Sequence, residues 1–143
     1  MIKRDTSTLT KRAGVTILEI LIALAIIALI AAVVGPRLIS YLGRAKSETA
    51  GLQLKQIKSA MQLYYIDMGR YPSDAEGLAA LVSSPAGNGD WQGPYLENES
   101  GLKDPWGRDY IFHAGSDGAL PEILTFGRDG VQGGTGEDAD VRP

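Results

Sequence analysis

Val15-Thr16-Ile17-Leu18-Glu19-Ile20-Leu21 opens a run that stays apolar as far as Ala32-Val33-Val34, with Thr16 and Glu19 as its only polar members. Twenty helical residues rise roughly 30 Å, about the thickness of a bilayer's hydrocarbon core. Ahead of the run, Lys3, Arg4, Lys11 and Arg12 face a single acid, Asp5. A basic end before an apolar segment stays in the cytoplasm, and the residues beyond that segment are carried across the membrane. A conventional signal peptide would place small residues at a cleavage site after the apolar run. Here Gly35-Pro36 comes next instead. A simple signal anchor fits the length but leaves Glu19 unexplained, because a carboxylate among apolar neighbours in lipid is expensive and normally has a partner. A buried core helix does not suit so long and uniformly apolar a stretch.

Beyond Pro36 the pattern remains helical but becomes amphipathic. Leu38, Leu42, Ala45, Thr49 and Leu52 recur at spacings of four and three, and after a slip of one residue Ile57, Met61, Tyr64 and Met68 continue the stripe. Arg44, Lys46, Glu48, Lys55 and Lys58 lie off it. The spacing predicts one helix continuing from the apolar run to about Gly69, its C-terminal half serving as the core face of a domain. Gly35-Pro36, Gly43 and Gly51 are weak points, with Pro36 the expected kink.

The remainder is rich in turns. Ser73-Asp74-Ala75-Glu76 has capping-box spacing and predicts a short helix through Leu78, Leu81 and Val82. A loop from Ser83 to about Gly93 comes after it. Tyr110 to His113 and Glu122 to Phe126 read as short strands, with Gly115-Ser116-Asp117-Gly118 as the turn of a hairpin.

Composition narrows the function. The chain has 143 residues, enough for one domain with a small soluble core once the apolar run is set aside. It has no cysteine, so neither disulfides nor thiolate metal sites are available. The net charge of −3 hides an asymmetry: from Tyr71 onward, 13 acids face only Lys103, Arg108, Arg128 and Arg142, a balance of −9. Such a surface repels nucleic acid. His113 is the sole histidine and falls on an expected strand, and there is no Gly-x-Ser-x-Gly elbow or Walker loop. Nothing here assembles an enzyme's acid–base cluster.

From Gly127 to Val141 the chain carries Asp129, Glu137, Asp138 and Asp140 among five glycines, with nothing large and apolar between Val131 and Val141. Such a segment cannot offset its ordering entropy by burial, and its carboxylates repel unless a cation sits among them. Calcium suits hard oxygens in loose geometry better than magnesium does. The spacing is not that of an EF-hand, and a solvated acidic tail fits the composition equally well.

Lys11-Arg12-Ala13-Gly14-Val15-Thr16-Ile17-Leu18-Glu19 resembles the prepilin peptidase site of type IV pilins and type II secretion pseudopilins. The resemblance implies cleavage between Gly14 and Val15 and methylation of the new Val15 amine; the commoner residue at that place is Phe. A residue without a side chain at Gly14 lets a protease approach the backbone closely. The new amine would then lie four residues from Glu19, roughly 6 Å along a helix. In low dielectric the two attract strongly. The resemblance implies that this pair forms between neighbouring subunits and sets their stagger. A Glu19 resting at headgroup level is the plainer alternative.

The rest of the chain is similar to the major pseudopilin family of type II secretion. Arg70-Tyr71-Pro72-Ser73, Glu76-Gly77-Leu78, Trp91-x-Gly93-Pro94-Tyr95-Leu96, Asp104-Pro105-Trp106-Gly107 and Asp129-Gly130 carry that similarity, in the family's order. It implies an α+β pilin-like fold in which a long N-terminal helix packs on a small antiparallel sheet with a loop-rich C-terminal region. The expected divisions are a leader at 1–14, a transmembrane and filament-core helix at 15–35, and a periplasmic domain at 36–143. The implied role is structural: a single-pass inner-membrane subunit that polymerises into a helical pseudopilus and helps export folded proteins from the periplasm. Implied partners are further copies of the chain, minor pseudopilins, the inner-membrane secretion platform and prepilin peptidase. The family also implies one calcium ion in the last loop, held by Asp129, Asp138, Asp140 and the main-chain carbonyl of Phe126, with Glu137 able to replace Asp138. Two alternatives stay open: a type IV pilin for adhesion or motility, and a membrane-tethered calcium-binding module that never polymerises.

Overall fold

A computed structural model describes residues 14–85 and 89–143. Most of the expected leader, residues 1–13, and part of the 83–93 loop, residues 86–88, lie outside the described residues. Helix α1 spans Ile17–Met68. Thr16 caps it: the hydroxyl accepts the Glu19 amide at 3.2 Å, and the Thr16 carbonyl accepts the Ile20 amide at 3.2 Å. A helix start leaves its first amides without partners, and a threonine oxygen answers one of them. At the other end Gly69 takes φ 67°, a left-handed conformation that glycine adopts without Cβ strain, and its amide closes on the Tyr65 carbonyl at 2.9 Å. Helical structure continues through Pro36, and the chain divides shortly afterwards into two units, Met1–Leu38 and Ile39–Pro143.

In the first unit every large apolar side chain from Ile17 to Val34 is exposed, on all sides of the helix. A helix apolar all round requires apolar surroundings. Among the described residues α1 is the one helix long and apolar enough to cross a membrane.

In the second unit the buried face of α1 comprises Gly43, Ala50, Leu54, Ile57, Ala60, Met61 and Tyr64. The C-terminal half of the stripe is the core face, as expected. Leu38, Leu42 and Leu52 are exposed, and the buried series is rotated roughly 120° from them at 3.6 residues per turn. The reason is steric as well as hydrophobic. Gly43 and Ala50 let the returning chain approach the helix, and periodicity alone does not say which of two apolar faces the domain will cover.

Against that face pack Leu78, Leu81, Tyr110 and Ile123, with Trp91, Tyr95 and Val141 at the margin. Ser73 and Glu76 form the reciprocal capping pair. Glu76 Oε2 accepts the Ser73 amide at 2.9 Å and Ser73 Oγ accepts the Glu76 amide at 3.3 Å. The predicted helix is nevertheless only a turn, because Gly77 (φ 57°) breaks it, and a single 3-10 turn Leu78–Leu81 comes next. The hairpin is present with shorter strands than expected. Strand β1 (Ile111–His113) runs antiparallel to β2 (Glu122–Leu124), pairing Ile111 with Leu124 and His113 with Glu122. The aromatic motifs act as anchors. Trp91 Nε1 donates to the Ala80 carbonyl (2.9 Å), Tyr95 Oη to Asp67 (2.8 Å) and Tyr110 Oη to Gln53 (2.7 Å). These bonds let large amphipathic rings bury their apolar bodies without stranding a polar tip.

Candidate functional site

Two places carry chemistry. At the N-terminal end, Gly14 and Val15 precede the helix and are exposed, and a Cβ built on Gly14 would meet nothing within 4 Å. Both residues are non-helical, and Ile17 begins α1 two residues after Val15. Glu19 lies in the first turn, where the helix dipole favours an acid. Its main-chain amide is engaged by Thr16, while its carboxylate accepts no hydrogen bond among the described residues. The Thr16-x-x-Glu19 spacing is that of a capping box, a local signal overshadowed in the sequence by the charge itself.

The second place is the C-terminal loop, built on a buried strut. Asp104 is 4% exposed; its Oδ1 accepts the amides of Trp106 (3.0 Å) and Arg108 (2.9 Å), and its Oδ2 accepts the Thr125 hydroxyl at 2.6 Å. The Asp104-Pro105-Trp106-Gly107 turn is thus tied to the end of β2, and Thr125 pairs onward with Val141 through two main-chain bonds of 3.1 and 2.9 Å. Trp106 Nε1 donates to Glu137 Oε1 at 3.0 Å, and Arg108 Nη2 donates to the Gly127 carbonyl. Gly127 (φ 68°) is required on two counts: its dihedral is left-handed, and a Cβ would stand 2.7 Å from the carbonyl oxygens of Glu137 and Ala139.

This frame separates the predicted ligands. Asp129 Oδ1 accepts the Val131 amide at 3.0 Å, and Asp140 Oδ1 accepts the Gly133 amide at 2.9 Å. Asp138 faces Arg128 in a two-pronged ion pair, with Nε to Oδ1 at 2.8 Å and Nη2 to Oδ2 at 2.9 Å. Arg128 Nη1 lies 3.4 Å from Glu137 Oε2, and the Asp138 carboxylate, followed by Glu137, holds the guanidinium's pKa above its ordinary value. Asp129 and Asp140 are each tied to a main-chain amide, and Asp138 to a guanidinium. Among the described residues no three acidic or histidine side chains converge into a ready-made metal cluster. The positive charge beside these acids is the Arg128 guanidinium. Sequence reasoning singled out Asp104 only as part of a turn and missed its bond to Thr125 and the pairing of Arg128 with Asp138, because neither is visible without knowing which distant segment returns beside it.

A long, capped, apolar-to-amphipathic helix closed by a small hairpin and an acidic loop defines a pilin-like subunit. Residues 37–143 match the family described as "Type II secretion system (T2SS), protein G", and residues 9–35 match the "Prokaryotic N-terminal methylation motif". The chain belongs to the protein G family of the type II secretion system, the pseudopilins. It is 32% identical to "Type II secretion system core protein G" of Xanthomonas campestris pv. campestris, with 99% of both chains covered. It is 35% identical to the protein of the same name from Pseudomonas aeruginosa, covering 92% of this chain and 94% of that one. The crystal structure of the major pseudopilin from the type 2 secretion system of enterohaemorrhagic Escherichia coli superposes with a TM-score of 0.56 at 30% identity, covering 74% of this chain and 92% of that one.

Proposed function

We propose that this pseudopilin is cleaved between Gly14 and Val15 by prepilin peptidase, methylated at Val15, and held in the inner membrane by residues 15–35 with residues 36–143 in the periplasm. From there it polymerises with copies of itself, alongside minor pseudopilins and the inner-membrane secretion platform, into a filament that helps export folded proteins. The observation that carries this reading is the exposed, non-helical Gly14–Val15 junction set directly before a capped apolar helix, whose Glu19 carboxylate has no hydrogen-bond partner among the described residues. An amine freed at Val15 supplies that partner from a neighbouring subunit, and pairing offsets the desolvation of both charges. Leaving lipid for other apolar helices is close to neutral, so packing and this pair decide register. The adhesion or motility pilin and the non-polymerising tethered module are not favoured, since the secretion-family match spans the soluble part. Intact mass of the membrane-extracted protein tests the cleavage. The expected chain begins at methylated Val15, and one that begins at Met1 or is cut after Ala32 defeats the reading.

We propose in addition that the last loop takes one calcium ion, with Asp129, Asp138, Asp140 and the Phe126 carbonyl as ligands. The ion would supply the charge that lets these acids lie together and would close a loop that has little apolar surface of its own. In support stand the shared loop and the hard-oxygen donor set. A rise in melting temperature in millimolar calcium over excess chelator is the expected result.

A further inference from the structure

The cations of the second unit fall into two kinds. Arg70, Lys103, Arg108, Arg128 and Arg142 are each paired with an acid of the same chain. On α1, Arg44, Lys46, Lys55 and Lys58 make no side-chain hydrogen bond or ion pair among the described residues. Arg44 and Lys46 come soonest after the apolar run, and they alternate with Ile39 (66% exposed), Tyr41 (65%) and Leu42 (55%). From 39 to 46 only Gly43 is buried, under Glu137, whose carboxylate is already engaged by Trp106 and Arg128. At 3.6 residues per turn, the exposed side chains of this stretch are spread around the helix and do not form one stripe. A protein lying against a helix covers one side of it, whereas a lipid layer that the helix crosses surrounds it. The residue types suit that layer. Tyrosine rests at headgroup level, and Arg and Lys lay their stems on apolar surface while keeping their charges among polar groups.

We propose that residues 39–46 form a collar for the phosphates of anionic phospholipids in the periplasmic leaflet. Arg44 and Lys46 bind phosphate oxygens, and Tyr41 is seated at the same depth. This rests on the membrane placement given under the proposed function. Arg37, Arg44 and Lys46 are the only basic residues from Val15 to Ala50. Cleavage after Gly14 removes Lys3, Arg4, Lys11 and Arg12, so every basic side chain left beside the apolar run then lies on its C-terminal side. The leader's charges set orientation during insertion, and the collar holds the cut chain afterwards. The 13 acids from Tyr71 onward are repelled by an anionic surface, so the collar also fixes which end of the domain faces lipid.

The chain has no cysteine, so one nitroxide at Ala45→Cys reports the collar and one at Leu29→Cys reports the apolar run. The full chain is reconstituted in vesicles of phosphatidylcholine, alone or with phosphatidylglycerol added. Collisions with a water-soluble nickel chelate are measured at low salt and at roughly 0.5 M salt, where surface charge is screened. With phosphatidylglycerol at low salt, the label at 45 is expected to be shielded. Arg44→Gln/Lys46→Gln should expose it, since two basic residues at an anionic surface correspond to roughly thirtyfold in occupancy. High salt should expose it too, while Lys55→Gln/Lys58→Gln and added inorganic phosphate should leave it shielded. Equal exposure with and without Arg44 and Lys46 overturns the collar, and a shielded label at 29 then leaves the membrane placement standing. An exposed label at 29 overturns both. Shielding as strong in phosphatidylcholine alone, or abolished by inorganic phosphate, overturns the assignment to anionic lipid.

Discussion

The Glu137 carboxylate lies against the bare α-carbon of Gly43, so close that a Cβ there would stand 2.7 Å from Glu137 Oε2. This contact joins the last loop to the middle of the helix, and the same carboxylate holds the Trp106 indole. A mid-helix glycine costs about 1 kcal/mol relative to alanine. Here the space it leaves is filled by a side chain from the far end of the sequence. Gly43→Ala should therefore fail to deliver the usual gain of about 1 kcal/mol, because Glu137 must move off. In a Glu137→Ala background the gain should reappear. A double-mutant cycle by chemical denaturation measures the coupling, and additive effects would show that the contact carries no energy.

Asp104 accepts three hydrogen bonds while buried. Asp104→Ala strands two amides and a hydroxyl and should cost about 3 kcal/mol of stability. Asp104→Asn should cost about 1 kcal/mol, since its carbonyl still serves the two amides and the Thr125 hydroxyl can rotate to accept. Urea unfolding of the solubilised chain separates the two, and equal losses would mean that the negative charge, not the bonding pattern, is what matters.

Glu76 receives both prongs of Arg70, at 2.6 and 2.7 Å, together with Ser73. The Arg70 bond, ahead of those from Ser73, depresses its pKa from 4.5 to about 2. A depressed carboxylate stabilises the fold above its unfolded pKa and stops doing so as pH falls through the folded one. After allowance for the partly exposed Arg70, the difference between wild type and Glu76→Gln should be about 1–2 kcal/mol at neutral pH. It should shrink below pH 4.5 and vanish near pH 2, the window set by the two pKa values. A difference independent of pH would assign the effect to hydrogen bonding alone.

Glu19→Ala should leave membrane insertion intact or improved, since it removes a charge from the apolar run. On the proposed pairing with a neighbour's Val15 amine, filament assembly should be impaired. Thr16→Val serves as the control, loosening the helix start by about 1 kcal/mol without touching the charge. Normal filaments and normal secretion from Glu19→Ala would defeat the pairing.

Much of the fold is legible in the sequence because its signals are local. The apolar run, the helix stop at Gly69, the Ser73–Glu76 box and the hairpin around residues 115–118 are each set by residues a few positions apart. In these cases side-chain and backbone chemistry act within one turn. Where local signals compete, residue order misleads: Gly77 cuts short the helix that Ser73 and Glu76 initiate, and two apolar faces on α1 offer equal periodicity.

Residue order alone establishes a basic N-terminal end, an apolar run with one acid near its start, and an acidic, turn-rich remainder. Charge, apolarity and turn chemistry are properties of neighbouring residues and survive without a fold. Packing in three dimensions was needed to select Gly43 and Ala50, not Leu42 and Leu52, as the face toward the domain. It was needed also to make Asp104 a strut for Thr125, and to let Arg128 claim Asp138 from among four carboxylates. Those choices depend on where the chain returns after tens of residues, and burial and desolvation select a partner only once that return has been made.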